Sequence, residues 1–383
     1  MNIKNDDPMP RRTEIVDEIV DIKLDTTDLI TKENVMVALS NEGYIKRVSM
    51  KSYTSSNGDE TTLKPGDYLK YLFEVSTLDN LVIFTNLGQY LYVPVHTIFE
   101  GKWKDLGKHI NNLVTGLSES EYIVGAFILK NPDEKITFVT KNGLVKQSIL
   151  KDFVVSRYSK AMLAFKLKDN DEVIAVNQSK PRTVLISEAG YYVNIDTEEI
   201  PVVGARASGV RGMNLKDDVL AAGLSLDSSE YLSIFTNNKT AKRVKVSELE
   251  THNRAKKGST LIKKVKSFDY KIIKALLTDG KDELFLKCDN EITKIKNTDI
   301  SILDLKSTGG TISRYKIDDV FTSTVVDSSL KNNKDANEEV KTLEENTDKV
   351  VEEIQESEIE EKKEEKPKEE QVSLNDFFDE FKI

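Results

Sequence analysis

The chain has 383 residues, enough for a large buried core, and a formal net charge of −10 from 55 Lys and Arg against 65 Asp and Glu. That imbalance is local: from Lys331 to Ile383 there are 9 basic and 19 acidic residues, so the rest is neutral and a polyanionic partner is not excluded. A single cysteine, Cys288, rules out an internal disulfide and suits a reducing cytoplasm, and no apolar run approaches the ~20 residues of a membrane span.

Residues 1–24 read as an N-terminal segment: a polar stretch with two prolines and no signal-peptide core, then Ile15, Ile19 and Ile22 at the spacing of a short amphipathic helix over Arg11–Leu24. A repeat then opens near Asp25. In VMVALSNEGYIKR, from Val35 to Arg47, alternating Val35, Val37 and Leu39 predict a half-buried strand. A turn at Asn41-Glu42-Gly43 follows, and the return strand ends on Lys46-Arg47, expected to be exposed. Variants start at Leu81, Ile136, Arg182, Tyr231 and Glu283, placing Gly88, Gly143, Gly190, Lys239 and Glu291 in register with Gly43 at spacings of 45 to 55 residues. A further buried strand follows each hairpin, as in Tyr122-Ile-Val-Gly-Ala and Asp218-Val-Leu-Ala-Ala. About four strands per unit, six times over, is blade geometry, and a closed ring would shield edges that isolated hairpins expose. The predicted fold is all-β and six-bladed over residues 25–326. Residues 327–383 form an acidic tail with the composition of disorder or a solvated helix.

Enzymatic constellations are mostly absent from the sequence. His96, His109 and His252 are widely spaced and cluster with no cysteine, and no phosphate-cradling glycine loop occurs. Acidic pairs such as Asp217-Asp218 read as solvated turns. Basic charge gathers on the third unit, with 9 basic and 5 acidic residues over 134–180, and the fifth, with 13 and 5 over 229–281. Two loops stand out. One is Gly204-Ala-Arg-Ala-Ser-Gly-Val-Arg-Gly, where glycines let a backbone approach phosphates that Arg206 and Arg211 could grip. The other holds Lys242, Arg243, Lys245, Arg254, Lys256, Lys257, Lys263, Lys264 and Lys266. Such a set points to sequence-independent, salt-sensitive phosphate contact.

RRTEI at Arg11–Ile15, the NEGYIKR hairpin and ARASGVRGMNLKDDV at Ala205–Val219 resemble the C-terminal DNA-binding domain of bacterial type IIA topoisomerase A subunits. The resemblance implies a β-pinwheel, a propeller whose neighbouring blades exchange strands, that bends double-stranded DNA on its rim. Gyrase members carry an arginine- and glycine-rich box after the first hairpin. Here Tyr53–Leu69 reads YTSSNGDETTLKPGDYL, with one lysine and no arginine, so the sequence is more similar to topoisomerase IV than to supercoiling gyrase. The family's catalytic tyrosine region precedes the RRTEI stretch, so no cleavage is expected of this chain. The resemblance also implies two protein partners, a catalytic core and an ATPase B subunit, with ATP and Mg used through other regions and no cofactor in this chain. It further implies a cytoplasmic, nucleoid-associated location. Lys46, Arg47, Lys146, Arg206, Arg211, Lys242, Arg243, Lys245, Arg254, Lys256, Lys257, Lys263 and Lys264 are the expected DNA contacts. In the tail, Gln371, Leu374, Phe377 and Phe378 resemble a sliding-clamp peptide, or one apolar face of a small helix. Competing readings are a gyrase-type wrapping domain and a propeller that docks proteins.

Overall fold

The computed structural model describes residues 30–328 apart from 119, 169, 227 and 290. Its period-two segments form six antiparallel sheets. Blade 1 is built from 34–40, 44–49 and 69–76, blade 2 from 80–85, 89–94 and 123–128, and blade 3 from 135–140, 144–149 and 173–178. Blades 4, 5 and 6 follow as 182–187, 191–196 and 220–226; 231–236, 240–245 and 272–278; and 283–288, 291–296 and 319–322. In each, the first strand lies between the second and third.

A fourth strand comes from the next unit along the chain. Lys108–His109 joins blade 1, Met162–Leu163 blade 2, Val210–Arg211 blade 3, Ser259–Thr260 blade 4 and Gly310–Thr311 blade 5. Each of these two-residue arms leaves the second strand of its own blade, pairs antiparallel on the neighbour's second strand, and returns to start its own third strand. That exchange makes the fold a pinwheel. Blade 6 receives no arm and ends on 291–296 as an open edge. Alternation puts one row of each sheet into an interblade core. Leu39, Phe73 and Ile83 pack between blades 1 and 2, Phe84, Phe138 and Phe153 between 2 and 3, and Ile186, Leu232 and Ile234 between 4 and 5.

The hairpin turns repeat one device. Gly43 takes φ +88°, a left-handed conformation that glycine enters without a Cβ clash, and the Ser40 hydroxyl accepts from the Tyr44 N–H at 3.0 Å. Thr85, Thr140 and Ser187 accept in the same way from Gln89, Leu144 and Tyr191. Two expectations are corrected. Cys288 pairs directly with Glu291, so the sixth turn is one residue shorter and Glu291 opens a strand instead of matching Gly43. Asp218 is no plain solvated turn residue: its carboxylate accepts from Ala189 N–H across the turn and from Val219 N–H at 2.8 Å. Asp67 and Asp171 repeat the contact to Glu42 and Asn142, each tying a third strand to its hairpin.

Blade 6 closes on blade 1 through rings and charges. Tyr68 stacks on Phe321 at 3.7 Å, its hydroxyl donates to Asp319 at 3.1 Å, and Asp319 pairs with Lys274 at 2.8 Å. The region 50–68 carries a single helical turn, Met50–Ser55, capped by Ser49. Its loop folds onto Trp103, whose indole N–H donates to Asp59 O at 2.7 Å. The expected helix over 11–24 and the tail motif Gln371, Leu374, Phe377 and Phe378 lie outside the described residues.

An added Cβ at Gly258 would sit 1.8 Å from Tyr192 O, on a backbone at φ +80° beside the arm of blade 4. Gly58, at φ +86°, has nothing within 4 Å. Gly258→Ala should therefore lower stability by clearly more than the ~1 kcal/mol of conformational cost expected for Gly58→Ala, as read by thermal unfolding.

Candidate nucleic-acid interface

The third residue of the second strand is lysine in blades 1, 3 and 5, and all three side chains are inside the protein. Lys46, Lys146 and Lys242 are 3%, 0% and 1% exposed. Lys146 Nζ donates to the carbonyls of Ala164 at 2.7 Å, Gly204 at 3.2 Å and Ala205 at 2.7 Å. Lys242 Nζ donates to Leu261 at 2.6 Å, Asp304 at 3.2 Å and Leu305 at 2.7 Å. Lys46 Nζ donates to the carbonyls of Trp103 and Asp105 and to the Thr61 hydroxyl. Three acceptors match the three N–H groups of an ammonium. Each lysine thus pins the arm laid across its blade, and Lys146 and Lys242 also hold the arm before it.

The expectation that these lysines face phosphates is therefore corrected. Arg243 goes with them: 7% exposed, its Nε donates to Ile300 O at 2.7 Å and its guanidinium lies 4.8 Å from the centre of the Tyr231 ring. Arg47 is half-buried and paired with Glu100 at 2.8 Å. Position 4 of this strand clamps the next blade generally, since Gln147 donates to Thr197 O and Ile200 O. Lys245 is exposed, but at the end of its strand remote from the arm pairing at Thr240 and Ala241.

The other expected residues lie on the arms. Arg206, Arg211, Lys256, Lys257, Lys263 and Lys264 are exposed, and Arg254 is half-buried, with its guanidinium on Arg211 O at 2.8 Å. Three successive arm segments contain no carboxylate at all. Residues 154–168 hold Arg157, Lys160, Lys166 and Lys168; 201–216 hold Arg206, Arg211 and Lys216; 251–266 hold Arg254, Lys256, Lys257, Lys263, Lys264 and Lys266. Backbone bonds stitch neighbouring arms together, Lys166 N–H to Ala207 O at 3.3 Å, Ala255 N–H to Gly212 O at 2.7 Å and Lys263 N–H to Lys306 O at 3.0 Å. The result is a belt of three basic arms laid across blades 2, 3 and 4. The count over 134–180 includes Arg157, Lys160, Lys166 and Lys168 but does not single them out, although the acid-free run around them is readable. Beside the belt, a groove of about 700 Å³ separates the loop 213–219 from 262–271.

A model of the family described as DNA gyrase C-terminal domain, beta-propeller, matches residues 79–130, 134–180, 183–225 and 230–279. The chain belongs to this gyrase C-terminal β-propeller family. Among its relatives, the A subunit of DNA topoisomerase 4 from Bacillus subtilis (strain 168) is 37% identical over 278 residues, 71% of this chain and 34% of that protein. Its counterpart of the same name from Staphylococcus aureus (strain MRSA252) is 33% identical over 268 residues, 69% of this chain and 33% of that protein. The chain thus spans about a third of the length of the curated relatives it matches. A crystal structure of the C-terminal domain of DNA topoisomerase IV superposes with a TM-score of 0.73 at 33% identity, covering 76% of this chain and 94% of the other. A DNA gyrase A C-terminal domain shares the fold, with a TM-score of 0.56 at 22% identity over 76% of this chain and all of the other. The propeller family and the topoisomerase IV likeness expected from the sequence are both borne out.

The cages also set a pH dependence. Burial pushes Lys146 down to about 8 and Lys242 down to about 7, from 10.5. Between those values and 10.5 the unfolded chain binds more protons, so stability should rise with pH through that window. Urea unfolding at pH 7.5 and 9.5 checks this, and Lys242→Met should show a smaller rise. A flat wild-type profile would show that the carbonyls fully offset lost hydration. At fixed pH, Lys146→Met should cost about 3 kcal/mol by orphaning carbonyls, and the exposed Lys256→Met should stay within about 0.5 kcal/mol of wild type.

Proposed function

We propose that this domain binds duplex DNA along the arm belt and bends it as part of a topoisomerase IV-type A subunit. The supporting observation is that three stitched arms present thirteen basic side chains without one carboxylate. A surface of one sign laid across successive blades suits a curved polyanion, and backbone contact of this kind carries no base preference. The basic side chains sit on arms whose backbones are fixed by sheet pairing and, in all three, by a buried lysine. Charge spacing is therefore set by the blades and not by loop conformation. In the intact enzyme the bent duplex would be presented to the breakage-reunion core for relaxation and decatenation. ATP and Mg would be used by the core and the B subunit, and the cytoplasmic nucleoid would be the site of action. Among the described residues, no helix is long and apolar enough to cross a membrane.

The topoisomerase IV branch is favoured over gyrase-type wrapping by the loop 50–68. Where a wrapping box would need exposed arginines, this loop packs on Trp103 and pairs its Asp59 with Lys104 at 2.8 Å. Plasmid relaxation by the reconstituted holoenzyme, without accumulation of negative supercoils, is the expected result. Negative supercoiling would overturn the choice of branch.

Binding to duplex DNA should weaken linearly in log salt. Lys257→Gln and Lys264→Gln should each lower that slope by about 0.9. Lys294→Gln, on the open edge of blade 6 and paired with Glu283 at 2.7 Å, should leave it unchanged. A salt-independent affinity, or equal effects at all three positions, would reject the belt.

A further inference from the structure

One arm carries more than charge. The arm's last bond to the turn glycine and the bond that starts the third strand delimit residues 165–172 in blade 3, 212–219 in blade 4 and 262–271 in blade 5. The last is two residues longer, and it spends them on a tight turn in which Val265 and Phe268 form an antiparallel bridge. Both side chains are exposed, Val265 at 40% between Lys264 and Lys266 and Phe268 at 38% two residues after Lys266 and next to the exposed Asp269. The turn is braced from behind. Phe268 meets Tyr270 edge-on at 4.9 Å, and the Tyr270 hydroxyl accepts from Asn238 Nδ2 at 3.0 Å. Beside it lies the groove of about 700 Å³, lined by Lys216 and Lys257 and also by Glu188, Asp217, Asp218 and Asp269.

We infer that this turn is a wedge: Val265 and Phe268 enter the minor groove of the bound duplex and concentrate its bending at the seam of blades 4 and 5. The inference rests on the DNA-binding reading above. Val265 and Phe268 stay more than a third exposed among lysines even though Tyr270 backs the ring, and a partly unstacked base step offers apolar surface that would cover them. The lysines on either side would hold the two phosphate backbones while the ring occupies the step. Apolar wedges of this kind open a step and kink DNA by about 20–90° toward the major groove. Their cost is lowest where stacking is already weak.

The full chain should therefore bind a short duplex containing a central mismatch several-fold more tightly than the fully paired duplex, and end-to-end fluorescence transfer should report the sharper bend on the mismatched one. The double variant Val265→Ala/Phe268→Ala changes exposed side chains only. It should bind both duplexes alike and bend them equally, with the wild-type salt slope retained. Wild-type protein that does not discriminate, or a double variant that keeps the preference, overturns the wedge while leaving the belt intact. No salt-sensitive binding to either duplex would instead overturn the belt reading, and the wedge with it.

Discussion

Everything else in this structure depends on the handing over of a two-residue strand from each blade to the one before it. A three-stranded meander has an exposed edge, and the edge is a row of unsatisfied N–H and C=O groups. Here the neighbour's chain covers that edge at its turn end, as when Val210 and Arg211 pair with Val145 and Leu144. The pairing is too short to hold by itself. Buried ammonium groups complete it: Lys146 and Lys242 each bond three carbonyls drawn from two successive arms. Cationic side chains in the interior thereby position cationic side chains on the surface.

This division explains what can and cannot be read from the sequence. Blade number, the left-handed turn at Gly43 and the buried third strands follow from local pattern, because period-two alternation and turn chemistry are local properties. Strand exchange is not local. A unit counted from its first strand to its third includes an arm that belongs to the sheet before it, so Arg254, Lys256 and Lys257 fall to the fifth unit by count although their arm pairs at Tyr191 and Tyr192. The same blindness misplaces Lys46, Lys146 and Lys242. At the end of an exposed hairpin a lysine belongs to solvent, but at the third position of a strand roofed by an arm it is enclosed. Leu91 and Val193 hold that position in blades 2 and 4 and are fully buried. The alternation of lysine and aliphatic at one register is visible in the sequence and marks an interior site.

Acidic residues tell a related story. Asp67, Asp171 and Asp218 have the sequence context of surface turn residues, and each instead collects two backbone N–H groups at the top of a hairpin. A short carboxylate can replace a missing strand partner where the chain crosses from turn to sheet. The acid-free arms gain meaning by contrast. Carboxylates are abundant in this chain, and their exclusion from 154–168, 201–216 and 251–266 sets those segments apart from every blade they cross.

The open side of blade 6 has a consequence of its own. Its strand 291–296 is largely exposed, and no arm lies against it. Amide protons there should exchange with solvent sooner than those of equivalent strands, making this end the first to fray. The residues along that margin, Glu291, Lys294 and Lys296, are charged, and charge at a bare sheet margin discourages a second molecule from adding its own strand. The chain thus guards by repulsion the one second strand that, among the described residues, receives no arm.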